Sequence, residues 1–413
     1  MEFPHLPWTR QASIYEVNVR QYTPEGTFAA FEAHLPRLAR MGVGILWFMP
    51  IQPIGARERK GSLGSYYSIR DYCAVNPEFG TLADFRRVVA RAQALGMKVI
   101  LDWVANHTAW DHPWTTQHPG WYRHDEHGRI HAYTYRASPE AEPEYWTDVV
   151  GLDYRARPLW RAMTEAMAFW VREAGIDGFR CDVAALVPLP FWRHARQHLE
   201  RIRPMFMLAE AHEPALHRVF DMTYDWDLYE QLRAVAQGRA DAGALRAWWA
   251  RRVQHYGADD YRMVYTANHD SNSWHGSCAE LYGSREAACA MAVLAALLPG
   301  MPLVYSGQEA FHDRRLAFFE KQTIDWRGHP LQGFYRRLLQ LKRSHPALVN
   351  GQVPGLRFAF HDVGNARVAA FSRAVGARQV DVAVNLSGQA QAWRAPDGRR
   401  QRLAPWRWVI RAH

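Results

Sequence analysis

Two hydrophobic periods alternate along most of the chain. Short apolar runs, which predict buried β-strands, are separated by stretches in which apolar residues recur every three or four positions, as in amphipathic helices. The pattern predicts strands at residues 13–19, 44–49, 98–103, 177–181, 205–209, 219–223, 262–265 and 302–305. It predicts helices at residues 27–41, 81–95, 158–174, 189–201, 285–298 and 331–344, with further helical material up to about residue 256. About eight strand–helix units predict a parallel sheet closed into a (β/α)8 TIM barrel.

Two regions depart from this alternation. Residues 109–153, which follow the third strand, are rich in His, Pro, Trp and Tyr and have no clear period, so they form a long excursion. After Pro346 the pattern changes to strands at 366–372, 379–385 and 406–411, which predicts a small antiparallel β-domain. We therefore assign the barrel to residues 1–108 and 154–346, the insertion to 109–153 and the C-terminal domain to 347–413.

The composition is that of an ordinary globular enzyme. Of the 413 residues, 48% are hydrophobic and 22% are charged, which excludes a disordered chain. The 18 Trp, 18 Tyr and 18 Phe are compatible with carbohydrate binding, because sugar faces stack on aromatic rings. The net charge is +9, but the basic residues are scattered and no nucleic-acid-binding motif occurs, so no nucleic-acid partner is expected.

Cysteine usage and apolar runs bear on the location of the protein. The four cysteines have no metal-ligand or redox-pair spacing. The most apolar stretch, residues 287–298, is too short to cross a membrane. The N-terminus has no charged start followed by an apolar run, so we expect a cytoplasmic protein, or a periplasmic or secreted one if a leader was removed. The oligomeric state stays open.

Four segments place polar groups at the exits of predicted strands: residues 102–107, 178–182, 208–210 and 266–270. Asp182 follows Arg180 by two residues on a strand, so the two side chains share one face. The arginine is expected to lower the pKa of this carboxyl, which suits a nucleophile, although a structural ion pair at the barrel rim fits equally well. Glu210 follows the apolar run 206–209, which is expected to raise its pKa as a general acid requires.

The other two segments contribute a third acid and two histidines. Asn268-His269-Asp270 could stabilise a positively charged sugar and bind its hydroxyls, but it is also common turn chemistry. Asp102 and His107 bracket the end of the third strand, where His107 is placed to bind a sugar hydroxyl and Asp102 to hold the backbone. Two carboxylates with a third acid nearby form the set of groups that cleaves a glycosidic bond.

In this order, the four segments closely resemble the four signature regions of the alpha-amylase superfamily of retaining α-glycosidases and transglycosylases. Further matches lie at residues 64–72 and 76–81, and the resemblance covers about residues 14 to 344. It implies that residues 109–153 are the small inserted domain and that the C-terminal part is a β-sandwich. The resemblance implies that Asp182 is the nucleophile, Glu210 the acid/base and Asp270 the transition-state stabiliser. It also implies that Arg180 is the companion arginine, that His107 and His269 are the substrate histidines, and that Tyr67 is the aromatic platform.

The resemblance implies hydrolysis of α-1,4-glucans or maltooligosaccharides by double displacement through a covalent glycosyl-enzyme. The alternatives are an α-glucosidase, an α-1,6-glucosidase or an α-glucan transglycosylase of the same superfamily, and more remotely a non-catalytic carbohydrate-binding relative. Many α-amylases carry Lys-His shortly after the nucleophile, where this chain has Val-Ala-Ala-Leu at 183–186. This departure argues against calcium, for which Asn106 is the one candidate ligand, so no cofactor is expected to be required.

Overall fold

The structure, a computed structural model, describes residues 2–136, 138, 140–395 and 398–413. Its strands are β1 Ile14–Val17, β2 Ile45–Phe48, β3 Lys98–Trp103, β4 His107–Ala109, β5 Ala132–Tyr135, β6 Glu144–Gly151, β7 Gly178–Cys181, β8 Phe206–Ala209, β9 Met222–Tyr224, β10 Tyr261–Tyr265, β11 Met301–Tyr305, β12 Leu356–Phe360, β13 Val368–Val375, β14 Arg378–Asn385, β15 Gln391–Arg394, β16 Arg400–Leu403 and β17 Trp408–Ala412.

The α-helices are α1 Val19–Tyr22, α2 Phe28–Glu32, α3 Leu35–Met41, α4 Leu82–Ala94, α5 Trp114–Gln117, α6 Arg157–Glu173, α7 Leu189–Glu200, α8 Trp226–Ala236, α9 Ala242–His255, α10 Cys278–Tyr282, α11 Arg285–Leu297 and α12 Gln332–Ser344. Short 3-10 turns lie at Pro7–Gln11, Pro119–Trp121, Ala184–Leu186, Pro214–Arg218, Gln308–Ala310 and Pro346–Leu348, and one π-turn at Ser271–His275.

Eight parallel strands close into a barrel in the order β1-β11-β10-β9-β8-β7-β3-β2. Side chains that point inward from these strands, among them Ile14, Trp47, Ile100 and Leu208, fill the barrel interior. A larger apolar cluster lies between the strands and the surrounding helices. The predicted barrel is thus confirmed, and it brings the carboxyl ends of strands that are far apart in sequence to one face.

The two smaller β-regions lie where the pattern changed. Residues after β3 form a three-stranded antiparallel sheet in the order β4-β6-β5. The C-terminal region has a four-stranded antiparallel sheet, β12-β13-β14-β17, and a two-stranded sheet, β15-β16. From Ala287 onwards every residue of helix α11 is buried, and the helix packs against both the barrel and this C-terminal sheet, which explains the apolar sequence of this stretch.

One predicted element was wrong, and others were missed. The single helix predicted at 27–41 is two helices, α2 and α3, and the second begins around Pro36, which lacks the N–H that a continuous helix would need. The strands β12, β15 and β16 were not predicted. Within the described residues, no helix combines the length and the apolar character that crossing a membrane requires.

Candidate active site

Arg180, on β7, is the centre of a buried cluster of carboxylates. Its Nη1 lies 2.8 Å from Asp102 Oδ1 and 3.0 Å from Asp182 Oδ1, and its Nη2 lies 2.7 Å from Glu210 Oε1. The arginine side chain is fully buried. Three acids from the ends of three neighbouring strands therefore meet at one guanidinium, whose fixed fork of donors suits several carboxylates at once.

Asp102 is held from several sides. Besides Arg180, its Oδ2 accepts hydrogen bonds from Trp47 Nε1 at 3.1 Å and from the Tyr67 hydroxyl at 3.0 Å. The side chain is completely enclosed. Asp102 thus orients Arg180 and Tyr67 rather than presenting a free carboxylate to the cleft.

A chain of contacts connects Tyr67 to the third acid. His269 Nε2 lies 2.8 Å from the Tyr67 hydroxyl and 3.2 Å from Asp270 Oδ2, while its Nδ1 lies 2.5 Å from Glu16 Oε1. The Tyr67 and His269 rings stack with centroids 5.5 Å apart. Asp270 is the most open of the three candidate acids, with 40% of its side chain exposed.

Glu210 is oriented by a strained piece of backbone. Its Oε2 accepts a hydrogen bond from the backbone N–H of Val183 at 2.8 Å. Val183 directly follows Asp182 and has φ 35° and ψ 48°, a left-handed conformation that a β-branched residue rarely adopts. Such strain tends to collect at functional sites, where the surrounding structure enforces it.

The protonation of Asp182 and Glu210 is the reverse of the expectation from sequence. Burial, together with the neighbouring Glu210 carboxylate, raises the pKa of Asp182 well above its ordinary value. Burial also acts upward on Glu210, but Arg180 and the Val183 amide outweigh it and lower the pKa of Glu210. The reason is geometric, since Arg180 lies closer to Glu210 than to Asp182. These opposite directions make Asp182 the weaker acid of the coupled pair.

The two histidines differ in charge. Burial opposes protonation of His269, but Asp270 and Glu16 raise its pKa to about 9, so it is a cation at neutral pH. Burial lowers the pKa of His107 to about 4, so that side chain is neutral. His107 packs against Trp146 of the inserted sheet, with ring centroids 5.6 Å apart. It therefore forms a wall between the barrel and the insertion.

Asn106 is the candidate calcium ligand from the sequence analysis. Its side-chain amide nitrogen lies 3.1 Å from His107 Nδ1, and the side chain is buried. In the part of the chain that the structure describes, no group of three or more His, Cys, Asp or Glu side chains could hold a metal ion. Calcium also binds backbone carbonyl oxygens, so the expectation that no metal is required stays a prediction.

Several residues of the site were missed by sequence reasoning. Glu16 holds His269, Trp47 holds Asp102, and the Tyr224 hydroxyl accepts from Arg180 Nε at 3.2 Å. Glu16 could have been found as a lone carboxylate inside an otherwise apolar strand. Trp47 and Tyr224 are indistinguishable in sequence from ordinary core residues.

Comparison with known proteins decides the family. A model of the alpha-amylase catalytic domain matches residues 16–241, more than half of the chain. The chain belongs to the alpha-amylase family. This confirms the resemblance carried by the four strand-end segments.

Individual alpha-amylase relatives agree with this assignment. Alpha-amylase MalA of Haloarcula japonica is 28% identical over 408 residues, which cover 95% of this chain and 58% of MalA. The α-1,4-glucan:maltose-1-phosphate maltosyltransferase of Burkholderia pseudomallei is 31% identical over 92% of this chain and 35% of its own length. This chain thus spans between about a third and three fifths of these two relatives.

Solved structures of the family superpose closely on this chain. An alpha-amylase from Lactobacillus plantarum has a TM-score of 0.86 and 29% identity, covering 98% of this chain and 99% of its own. A noncanonic maltogenic alpha-amylase, AmyB, from Thermotoga neapolitana has a TM-score of 0.83 and 29% identity, covering 98% and 96%. The similarity therefore extends over the barrel and both smaller β-regions.

Proposed function

We propose that this protein is a retaining α-glycoside hydrolase that cleaves α-1,4-linked glucans or maltooligosaccharides. The observation that carries the proposal is the convergence of Asp182 and Glu210 on two nitrogens of Arg180, with Asp270 joined to the same network through His269. Two carboxyls flanking one position are what double displacement requires. Alpha-amylases among the relatives and the solved structures support this choice of substrate.

In the proposed reaction, Glu210 protonates the glycosidic oxygen while Asp182 attacks the anomeric carbon and the leaving sugar departs. Glu210 then takes a proton from water, which attacks the anomeric carbon and releases Asp182. Asp270 supplies a carboxylate that stabilises the sugar ring as its positive charge develops. The family resemblance assigns hydroxyl binding to His269 and His107 and an aromatic platform under the ring to Tyr67.

The resting distribution of protons adds a step to this scheme. The buried site has two cations, Arg180 and His269, facing five carboxyl groups: Glu16, Asp102, Asp182, Glu210 and Asp270. Asp182 is the weaker acid of the coupled pair, because burial and Glu210 raise its pKa, while Arg180 outweighs burial at Glu210 and lowers the pKa there. We propose that a proton on Asp182 moves to Glu210 when substrate enters, because the glycosidic oxygen accepts a hydrogen bond from Glu210.

The test is incubation with a panel of α-1,4- and α-1,6-linked oligosaccharides, with product anomers followed by NMR. We expect cleavage of the α-1,4 panel with release of the α-anomer first. Initial β-anomer would exclude retention, and binding without turnover would indicate a non-catalytic relative. Products from maltoheptaose distinguish internal cleavage from removal of terminal glucose.

A transglycosylase is the second candidate, since the relatives include maltosyltransferases at about 30% identity. It would use the same acids, with a sugar hydroxyl in place of water. Adding excess isotope-labelled maltose as acceptor to the maltoheptaose assay separates the two. Label recovered in longer oligosaccharides would favour transfer, and label that stays in maltose while maltoheptaose is consumed would favour hydrolysis.

A further inference from the structure

Three buried arginines lie between the barrel and the C-terminal sheet, away from the carboxylate cluster. Arg252 on α9, Arg262 on β10 and Arg373 on β13 line one cavity of about 250 Å³. They are 8%, 3% and 1% exposed, respectively. We call this space the arginine cavity.

The hydrogen bonds of these arginines go to neutral groups. Arg252 donates to the Asp260 carbonyl at 2.9 Å, and Arg262 donates to Thr223 Oγ1 at 2.6 Å. The guanidinium of Arg373 donates to three carbonyl oxygens, those of Leu297, Leu298 and Val349. The Nε atoms of all three arginines are buried and have no hydrogen-bond partner within the described part of the chain.

Positive charge exceeds negative charge around this space. Asp260 is the carboxylate on its wall, and Asp225 Oδ2 lies 3.8 Å from Arg262 Nε. Among the described residues, neither Arg252 nor Arg373 has a carboxylate within ion-pair distance, and Lys342, buried nearby, donates to the carbonyl of Gly300. Burial, with Arg252 close by, lowers the pKa of Arg373 to about 9. A buried cation without a counter-ion is strongly unfavourable unless something else neutralises it.

We propose that the arginine cavity binds a small oxyanion of the phosphate class. Guanidinium groups recognise phosphate oxygens, and three of them line this one cavity, where carboxylates are fewer than cations. A water molecule occupies roughly 30 Å³, so the cavity is much larger than one bridging water needs. The source is either free phosphate or the phosphate group of a small metabolite such as a phosphorylated sugar.

A second cavity lies beside the arginine cavity. It has a volume of about 460 Å³ and shares Arg252, Tyr256 and Arg262 as walls. Its other walls include Arg251 and His255, both exposed on the surface of α9. Two of the three arginines therefore also border a cavity whose walls reach the protein surface.

The test is calorimetric titration of the full chain with inorganic phosphate and, separately, glucose 1-phosphate, at constant ionic strength. We expect saturable one-to-one binding, weakened about tenfold or more in Arg252→Gln, because a charge-assisted hydrogen bond is lost. Arg239→Gln is the matched control: it removes the same charge from an exposed residue that bonds to Gln237. Its affinity should equal that of the unmodified protein.

Either ligand can support the proposal. Tighter binding of glucose 1-phosphate that Arg252→Gln weakens would identify a sugar phosphate, and binding of inorganic phosphate alone would identify the free ion. The proposal would be overturned if the binding heats were the same for the unmodified protein, Arg252→Gln and Arg239→Gln. It would also be overturned if the heats did not saturate.

A tungstate soak of crystals of the unmodified protein gives a result that does not depend on a variant folding. Anomalous density between Arg252, Arg262 and Arg373 would support the proposal, and density at surface sites alone would overturn it.

Discussion

Arg180 Nη2 lies 2.7 Å from Glu210 Oε1, the shortest of the ion pairs that this arginine forms. The contact ties the proposed acid to the same cation that holds the proposed nucleophile. The same arginine lowers the pKa of Glu210, while burial and the Glu210 carboxylate raise that of Asp182.

Asp182→Asn should reduce hydrolysis by at least about a thousandfold, because an amide cannot form the glycosyl-enzyme. The fold should remain, since Asn has nearly the same shape and Arg180 keeps Asp102 and Glu210. Initial rates on maltooligosaccharides and circular dichroism are the measurements. Asp227→Asn, which changes an exposed carboxylate on α8, should retain full activity. A pure Asp182→Asn sample with more than about one per cent of the rate would refute this assignment.

Arg180→Lys should impair both activity and stability, although the charge is kept. One ammonium group cannot reach Asp102, Asp182 and Glu210 together, so buried carboxylates lose their partner. We expect the free energy of unfolding to fall by about 3 kcal/mol, measured by urea denaturation. Arg193→Lys, in an exposed pair with Glu2, should change it by less than about 1 kcal/mol. Equal stability of the two variants would contradict the central role of Arg180.

His269 should make stability depend on pH above neutrality. Its pKa is about 9 in the folded protein and 6.5 as the reference value, so its contribution is complete below pH 6.5 and is lost as pH rises through 9. The difference between the two pKa values of His269 corresponds to about 3 kcal/mol in the free energy of unfolding. The free energy of unfolding, measured by urea denaturation, should therefore decrease more between pH 6 and pH 9.5 in the unmodified protein than in His269→Gln. Parallel pH profiles would show that Glu16 and Asp270 do not stabilise the cation.

Chelation should leave activity intact. Asn106 directs its amide towards His107, and the described residues gather no cluster of ligand side chains around it. We expect unchanged initial rates and an unchanged melting temperature after dialysis against EDTA. A loss of either that added calcium restores would show that backbone oxygens hold a metal here.

The barrel and the location of its acids could be predicted from sequence because both depend on local patterns. Strand periodicity predicted the eight strands, Asp182 and Glu210 each follow a strand directly, and Asp270 lies five residues after the end of β10. Since parallel strands point the same way, their exits had to meet. The roles of these acids came from the family resemblance and stay predictions.

The network behind the acids could not be predicted, because it depends on packing between strands. Glu16 and Trp47 are on β1 and β2, far in sequence from His269 and Asp102, which they contact. The pKa order of Asp182 and Glu210 was misjudged for the same reason. Sequence shows that Arg180 is next to Asp182 on one strand, but the shorter contact runs across strands to Glu210.

The left-handed backbone at Val183 lowers the stability of the protein but supports its proposed catalysis. Glycine would relax that residue at little steric expense and should make the chain more resistant to heat. The same change would weaken the hydrogen bond from the peptide N–H to Glu210 Oε2. Glu210, the proposed proton donor, would then be less precisely oriented. Engineering for thermal tolerance at this position would therefore select slower catalysts.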